Sequence, residues 1–364
     1  MYKNSKKAII ALEDGRVFEG YSFAADGERC GEVVFNTSLS GYQEILTDPS
    51  YKGQMVVMTY PLIGNYGVNH DDTESGEISV ESFIVKEYSS IASNWRSEKT
   101  LADYLKENGI IGIEDIDTRA LTRHIRTQGA MKAVVSTMDT DVKRLVEKAR
   151  ASKGLVGVDM VREVTCGEQF KLNEGGEFKV AVLDCGVKSN ILRHLVSRNC
   201  ELTVYPADTS AETVLGDDPD GIFLSNGPGD PAGAPYVYEN VKKMLGKKPV
   251  FGICLGHQML GLAMEGETYK LKFGHHGGNQ PVKDLSTGKV SITAQNHGFC
   301  VDVDSLKSKN VKITHINLND NTVEGMESAE LKFFSVQFHP EAGPGPNDAV
   351  YLFDRFIDMM RKDP

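Results

Sequence analysis

Two short stretches of this chain combine residue types suited to covalent chemistry. The first is Gly252-Ile253-Cys254-Leu255-Gly256-His257-Gln258, where an apolar run ends in Gly-x-Cys-x-Gly and gives way to a helical pattern. This is the thiol counterpart of a nucleophile elbow, a tight strand-to-helix turn. Its glycines let neighbouring backbone approach where a Cβ would have no room. A cysteine at such a turn is presented at the edge of the sheet. It also lies at a helix N-terminus, whose partial positive charge favours the thiolate. An ordinary free cysteine packs into a core, but the glycine frame argues for a nucleophile.

The second stretch is Lys332-Phe333-Phe334-Ser335-Val336-Gln337-Phe338, a β-like run ending in His339-Pro340-Glu341. An imidazole there can take the thiol proton, and a carboxylate two residues on can hold its far nitrogen. Proline fixes its own φ and restricts the residue before it, which helps present both side chains. Alone, His-Pro-Glu reads as a capped loop; beside an elbow on the same sheet face it reads as a base and its orienter. A third strand end, Ser225-Asn226-Gly227-Pro228-Gly229-Asp230-Pro231, forms a stiff loop with amides suited to an anion or oxyanion. The remaining histidines carry less. His275-His276 has no carboxylate or thiol cluster beside it in sequence, so no metal site is expected. Asn296-His297-Gly298-Phe299 reads as a turn between β segments whose backbone lines a pocket, and His257 reads as structural.

Strands and helices must bring these stretches together. From residue 178, apolar runs at 179–183, 201–205, 221–224 and 249–253 alternate with helical patterns at 188–198, 210–215 and 236–245. That rhythm predicts βαβ units and a doubly wound, largely parallel sheet, an α/β fold that binds ligands at the carboxyl ends of its strands. Residues 1–150 mix short β-like runs (33–35 and 54–60) with turns and two amphipathic helices, at 120–127 and 141–151, and predict a separate α+β domain. The Gly-, Glu- and Lys-rich stretch at 151–177 is read as a linker, leaving 178–364 as the second domain.

Composition narrows the function. The chain has 364 residues, 40% hydrophobic and 25% charged, with a formal net charge of -11. An acidic surface repels phosphate backbones and anionic lipid, so neither nucleic acid nor membrane is expected as a partner. Six scattered cysteines without a CxxC pair predict reduced thiols and a cytoplasmic protein rather than a disulfide framework. The apolar stretch following Lys7 is too short for a signal-peptide core.

Gly-Ile-Cys-Leu-Gly-His-Gln with a later His-Pro-Glu resembles the signature pair of class I glutamine amidotransferases, over residues 178 to about 360. The first half points further. Gly31-Glu32-Val33-Val34-Phe35-Asn36-Thr37-Ser38, Gly41-Tyr42-Gln43-Glu44-Ile45-Leu46-Thr47-Asp48-Pro49-Ser50-Tyr51 and Asp115-Ile116-Asp117-Thr118-Arg119 are similar to the carbamoyl-phosphate synthase small-chain family. The resemblance implies hydrolysis of L-glutamine, with Cys254 as nucleophile, His339 as general base and acid, and Glu341 orienting it. It implies an oxyanion hole from the amides of Gly227 and Leu255. Gln258, Asn296, Gly298, Phe299 and Gly229 are implied to hold the glutamine, with Ser50 reaching it from the N-terminal domain. It implies a large synthetase subunit as partner, carrying ATP and Mg, and no metal or other cofactor in this chain. Two other classes compete: a stand-alone cysteine hydrolase of γ-glutamyl substrates, and a non-catalytic interaction subunit. The second would predict a missing triad member, and none is missing.

Overall fold

The computed structural model describes residues 6–306, 310–343 and 345–362; Met1–Ser5 lie outside them. The chain forms two units, one of Met1–Leu155 with Lys272–His276, the other of Val156–Leu271 with Gly277–Pro364.

The first unit is built on a closed barrel of seven strands. Their order around the barrel is Lys7–Leu12, Val17–Ser22, Ile111–Glu114, Ser82–Ile84, Gln54–Met58, Glu28–Asn36 and Met131–Ser136. Side chains alternate between faces, as the strand period of two requires. Ile10 and Leu12 pack with Val33, Met55 and Ile113, whereas Ile9 and Ala11 pack with Leu145 and Val146 of the helix Val142–Ala151. The helix Thr118–Gln128 buries Leu121 and Ile125 and leaves its charged residues outside. Closure removes the strand edges that an open sheet would expose. The sequence reading of an α+β domain placed the helices Thr118–Gln128 and Val142–Ala151 but missed Tyr42–Thr47 and Leu101–Glu107 and did not reveal the barrel.

The second unit holds a ten-stranded sheet in the order Phe170–Leu172, Cys200–Pro206, Phe178–Asp184, Gly221–Leu224, Val250–Ile253, Phe333–Val336, Val323–Ser328, Lys312–Asn317, Glu267–Asp284 and Val290–Asp302. The five strands from Cys200–Pro206 to Phe333–Val336 run parallel. The pairings of Val323–Ser328 with its neighbours, and of Lys312–Asn317 with Glu267–Asp284, are antiparallel. Helices Ser189–Val196 and Tyr351–Lys362 cover one face of the parallel part through Ile191, Leu195, Phe353 and Phe356. Ala211–Gly216, Pro235–Met244 and Leu255–Ala263 cover the other through Val214, Val241 and Leu260. The sheet is therefore doubly wound at its centre, with an antiparallel wing.

Two local readings change. Asn296-His297-Gly298-Phe299 is no turn: it lies inside the continuous strand Val290–Asp302, where Gly298 does not take the positive φ that a turn glycine would. The stretch at 151–177 is more than a connection, since Phe170–Leu172 pairs antiparallel with Cys200–Pro206 as the sheet's edge and Val161 is buried in the core.

Aromatic rings knit the face covered by Ser189–Val196 and Tyr351–Lys362. Phe251 stacks on Phe334 at 4.3 Å and meets Phe223 and Phe353 edge-on at 5.1 and 5.8 Å. Phe251→Ala is expected to cost about 3–5 kcal/mol of stability, the range for truncating a buried phenylalanine. Urea unfolding of the two proteins checks it; a loss under about 1 kcal/mol would mean the neighbouring rings collapse into the space.

Candidate active site

The strand order places the site before any side chain is considered. After Phe178–Asp184 the chain adds Cys200–Pro206 on one side and then Gly221–Leu224 on the other, so a crevice opens between 178–184 and 221–224. Three strand ends meet there: Asp184–Lys188, Ser225–Gly229 and Ile253–Cys254. Hydrogen bonds join the first two, from the Lys188 amide to Asn226 Oδ1 (3.1 Å) and from the Cys185 amide to Ser225 Oγ (2.9 Å).

Cys254 stands at the turn with φ 53° and ψ -103°, a conformation non-glycine residues rarely adopt. Three backbone bonds pin it: Cys254 N to Val336 O (2.9 Å), Gln258 N to Cys254 O (3.1 Å) and Gly256 N to Ser225 O (3.1 Å). The two frame glycines are sterically required. A Cβ on Gly256 would meet the Leu224 carbonyl oxygen at 2.3 Å, and one on Gly252 would meet Gly256 at 2.9 Å. The thiol is buried, 3.7 Å from the carbonyl oxygen of Asn296 and 3.7 Å from Gln337 Nε2.

His339 and Glu341 are buried beside it. His339 Nδ1 lies 2.7 Å from Glu341 Oε1, and the His339 amide donates to Ala294 O at 2.9 Å. Its Nε2 is buried and bonded to nothing among the described residues. Burial alone would disfavour the imidazolium. The charge of Glu341 and the sulfur of Cys254 outweigh it and raise the imidazole to about 10. Glu341 would likewise be raised by burial, yet Lys188 and His339 hold it down to about 2. Lys188 is the residue that sequence reading missed: its Nζ lies 3.1 Å from Glu341 Oε1 and donates to Ala342 O at 2.7 Å. Asn190 donates to the Glu341 carbonyl. The available signal was topological, because Lys188 follows the end of a parallel strand as Cys254 does.

The other sequence candidates divide. Gln258 is buried and donates to Phe299 O (2.8 Å) and Gln337 Oε1 (3.0 Å), joining the elbow helix to the strand carrying Asn296. Gly227 lies against Leu255, since a Cβ there would sit 2.7 Å from Leu255 Cδ2 and 2.1 Å from the Cys185 carbonyl oxygen. Leu255 opens its helix, where first-turn amides lack an intrahelical acceptor. Gly229 has φ 81° and is crowded by Met160. Gly298 is sterically unconstrained, with open space where its Cβ would stand. Ser50 lies in the first unit, on the 3-10 turn Pro49–Tyr51, with its amide on Asp48 Oδ1 at 2.9 Å. His257 is fully buried 3.0 Å from Ser335 Oγ; burial and His315 lower it to about 3, the state of a neutral structural histidine. The six cysteines are free thiols, and among the described residues no helix is long and apolar enough to cross a membrane.

The second unit is a doubly wound α/β domain with a cysteine on a strained strand-to-helix turn, beside a buried histidine–carboxylate pair. Comparison with known proteins narrows the class. Residues 181–359 match the class-I glutamine amidotransferase family and residues 10–135 the carbamoyl-phosphate synthase small chain, CPSase domain. The carbamoyl phosphate synthase small chain of Syntrophotalea carbinolica is 58% identical over 371 residues, covering 98% of each chain. Those of Aquifex aeolicus and Archaeoglobus fulgidus are 53% and 51% identical, covering 98% of this chain and 99% of theirs. The chain belongs to the carbamoyl-phosphate synthase small chain family of glutamine amidotransferase enzymes.

Removing Lys188 leaves a buried carboxylate with half its compensation. Lys188→Met is expected to destabilise the fold by about 3–5 kcal/mol, the cost of breaking a buried pair. The sign of the pH effect follows from Glu341. A depressed carboxylate contributes stability above its unfolded value and loses it as pH falls through the folded one, near 2. Without Lys188 that loss moves to higher pH, so melting temperature in the variant should begin to fall at a less acid pH than in the parent. Identical acid limbs in both proteins would show that Lys188 does not hold the carboxylate ionised.

Proposed function

We propose that the chain hydrolyses L-glutamine to glutamate and ammonia through a cysteinyl thioester and passes the ammonia to a large synthetase subunit. The observation that carries the reading is Cys254, held in a strained turn beside a charged His339–Glu341 pair whose Nε2 is uncommitted.

The Cys254 sulfur attacks the side-chain amide carbon of glutamine and forms a C–S bond. The carbonyl oxygen takes negative charge, which the amides of Gly227 and Leu255 stabilise; loss of one such donor typically costs about 3–4 kcal/mol. The proton on His339 Nε2 goes to the amide nitrogen, the C–N bond breaks and ammonia leaves. Water enters, gives a proton to His339 and attacks the thioester carbon, and glutamate departs as the thiol is restored. Glu341 stays ionised throughout and holds Nδ1–H. Gln258, Asn296, Gly298, Phe299 and Gly229 border the place where the glutamine would lie. ATP and Mg are assigned to the partner, which builds carbamoyl phosphate from bicarbonate and the released ammonia.

The alternative of a stand-alone γ-glutamyl hydrolase predicts full activity without a partner. Cys254→Ser separates the readings, because an alcohol is a poor nucleophile without a stronger base. The complex carrying it should make carbamoyl phosphate from added ammonia at near parental rates and from glutamine at under about 1% of them, a loss of two or more factors of ten. The isolated parent chain should release glutamate slowly and faster once the large chain, ATP and bicarbonate are added. Full glutamate release in isolation, unmoved by a large chain, would favour the stand-alone hydrolase.

A further inference from the structure

One side chain against the Cys254 sulfur has no part in the chemistry above. Gln337 follows the end of the strand Phe333–Val336 and is completely buried, between Val336 and Phe338, which are buried as well. A primary amide in such surroundings is costly unless its hydrogen-bonding groups are met. An apolar side chain of similar volume would fill the place without that cost. Its backbone is fixed from two sides. The Gln337 N–H donates to Glu324 O at 2.9 Å, and the carbonyl of the preceding residue, Val336, accepts from the Cys254 N–H at 2.9 Å. The side chain thus starts one residue from a bond to the nucleophile itself.

Hydrogen-bond chemistry decides which end of the amide faces the sulfur. The Phe299 carbonyl can only accept, so the group of Gln258 that lies 2.8 Å from it is the NH2. The second hydrogen of that NH2 goes to Gln337 Oε1 at 3.0 Å. With its oxygen committed, Gln337 turns its own NH2 toward the Cys254 sulfur, 3.7 Å away. Phe299 O, Gln258, Gln337 and Cys254 so form one directed series. Reversing the last amide would break two bonds.

The other polar contact of the sulfur works in the opposite sense. Asn296 O, also at 3.7 Å, is an acceptor and favours the thiol. Loss of the thiol proton makes that contact repulsive, whereas the bond from Gln337 becomes charge-assisted and stronger. A donor whose hold tightens as negative charge appears favours the charged nucleophile. It favours the sulfur again when the thioester breaks and the C–S bond returns its electrons to sulfur.

We propose that Gln337 is a further catalytic residue, whose Nε2–H donates to Cys254 Sγ and stabilises the sulfur anion before attack and as the thioester collapses. The inference rests on the reading that Cys254 attacks glutamine. The competing structural role would have Gln337 brace Gln258 through Oε1 and leave the sulfur alone.

The experiment compares the parent with two variants, each assembled with the large chain and checked for folding by circular dichroism. Gln337→Met has similar length and no N–H. Gln337→Glu keeps an acceptor for Gln258 and sets like charge beside the sulfur once ionised. The first measurement is the rate of Cys254 alkylation by iodoacetamide across neutral and alkaline pH, followed by peptide mapping; the second is glutamine kinetics of the complex. In Gln337→Met, alkylation at neutral pH should slow about tenfold and recover as the solution becomes alkaline. Its kcat should fall about ten- to a hundredfold with KM within about twofold, as for a lost hydrogen bond to a charged group. Gln337→Glu should stay slow at alkaline pH, and it alone decides should Gln337→Met not fold. Parental alkylation in the folded variants would overturn the proposal. So would a KM raised about tenfold with kcat and alkylation unchanged, which would leave Gln337 a brace for Gln258. A parent complex that turns over no glutamine would defeat the hydrolysis reading; alkylation then decides alone, slowed variants sustaining the donor and unslowed ones overturning it.

Discussion

A cysteine at φ 53° has no reason to stay there unless its surroundings forbid anything else. Such a conformation costs on the order of 1–3 kcal/mol. Here it is imposed from three directions. The strand Val250–Ile253 is held by its parallel neighbours, the helix from Leu255 is buried along nearly its whole length, and Gly256 must clear the Leu224 carbonyl. Relaxing the turn would pull the helix off the sheet or drive backbone into backbone. The thiol is thereby aimed by the core of the domain, at a place where no loop could hold it as stiffly.

The same rigidity makes the buried charges tolerable. Three ionisable groups of alternating sign, Lys188, Glu341 and His339, are almost completely removed from water. Each alone would revert to its neutral form. Together they stay charged because each has a partner of opposite sign at bonding distance, and because Ala342 O supplies Lys188 with another acceptor. The cost of assembling such a chain is high, and the proposed hydrolysis gives it a use. An imidazole held protonated beside a sulfur can stabilise the thiolate and then release its proton to a departing amine.

The elements that read clearly from sequence are those whose cause is local. Gly-Ile-Cys-Leu-Gly works within five residues, and so does His-Pro-Glu, so both were legible, as was the βαβ rhythm that places them on one sheet. Lys188 was not, because its importance arises from Glu341, more than 150 residues away, and nothing in Val187-Lys188-Ser189 announces a buried cation. The barrel escaped for a related reason. Strand pairs such as Glu32↔Gln54 and Ser82↔Ile111 can be inferred only from registry between distant segments. Asn296–Phe299 misled because an Asn, a His and a Gly resemble turn chemistry, whereas long paired strands impose an extended backbone whatever the local preference.

The parallel centre and the antiparallel wing divide the work of the site. Cys254 and His339 follow adjacent parallel strands in the register Ile253↔Val336, so their separation begins from the inter-strand spacing of about 4.8 Å, which the sheet cannot easily change. Cys254 follows its strand by one residue and His339 by three, and the backbone at His339 meets the wing. There Ala294 receives the His339 amide, Glu324 O receives that of Gln337, and Asn296 offers its carbonyl to the sulfur. The parallel strands thus set distance, and the wing sets direction. A class of fold that places ligands at strand ends gains from the wing what its loops alone would not provide, a second rigid wall facing the thiol and imidazole.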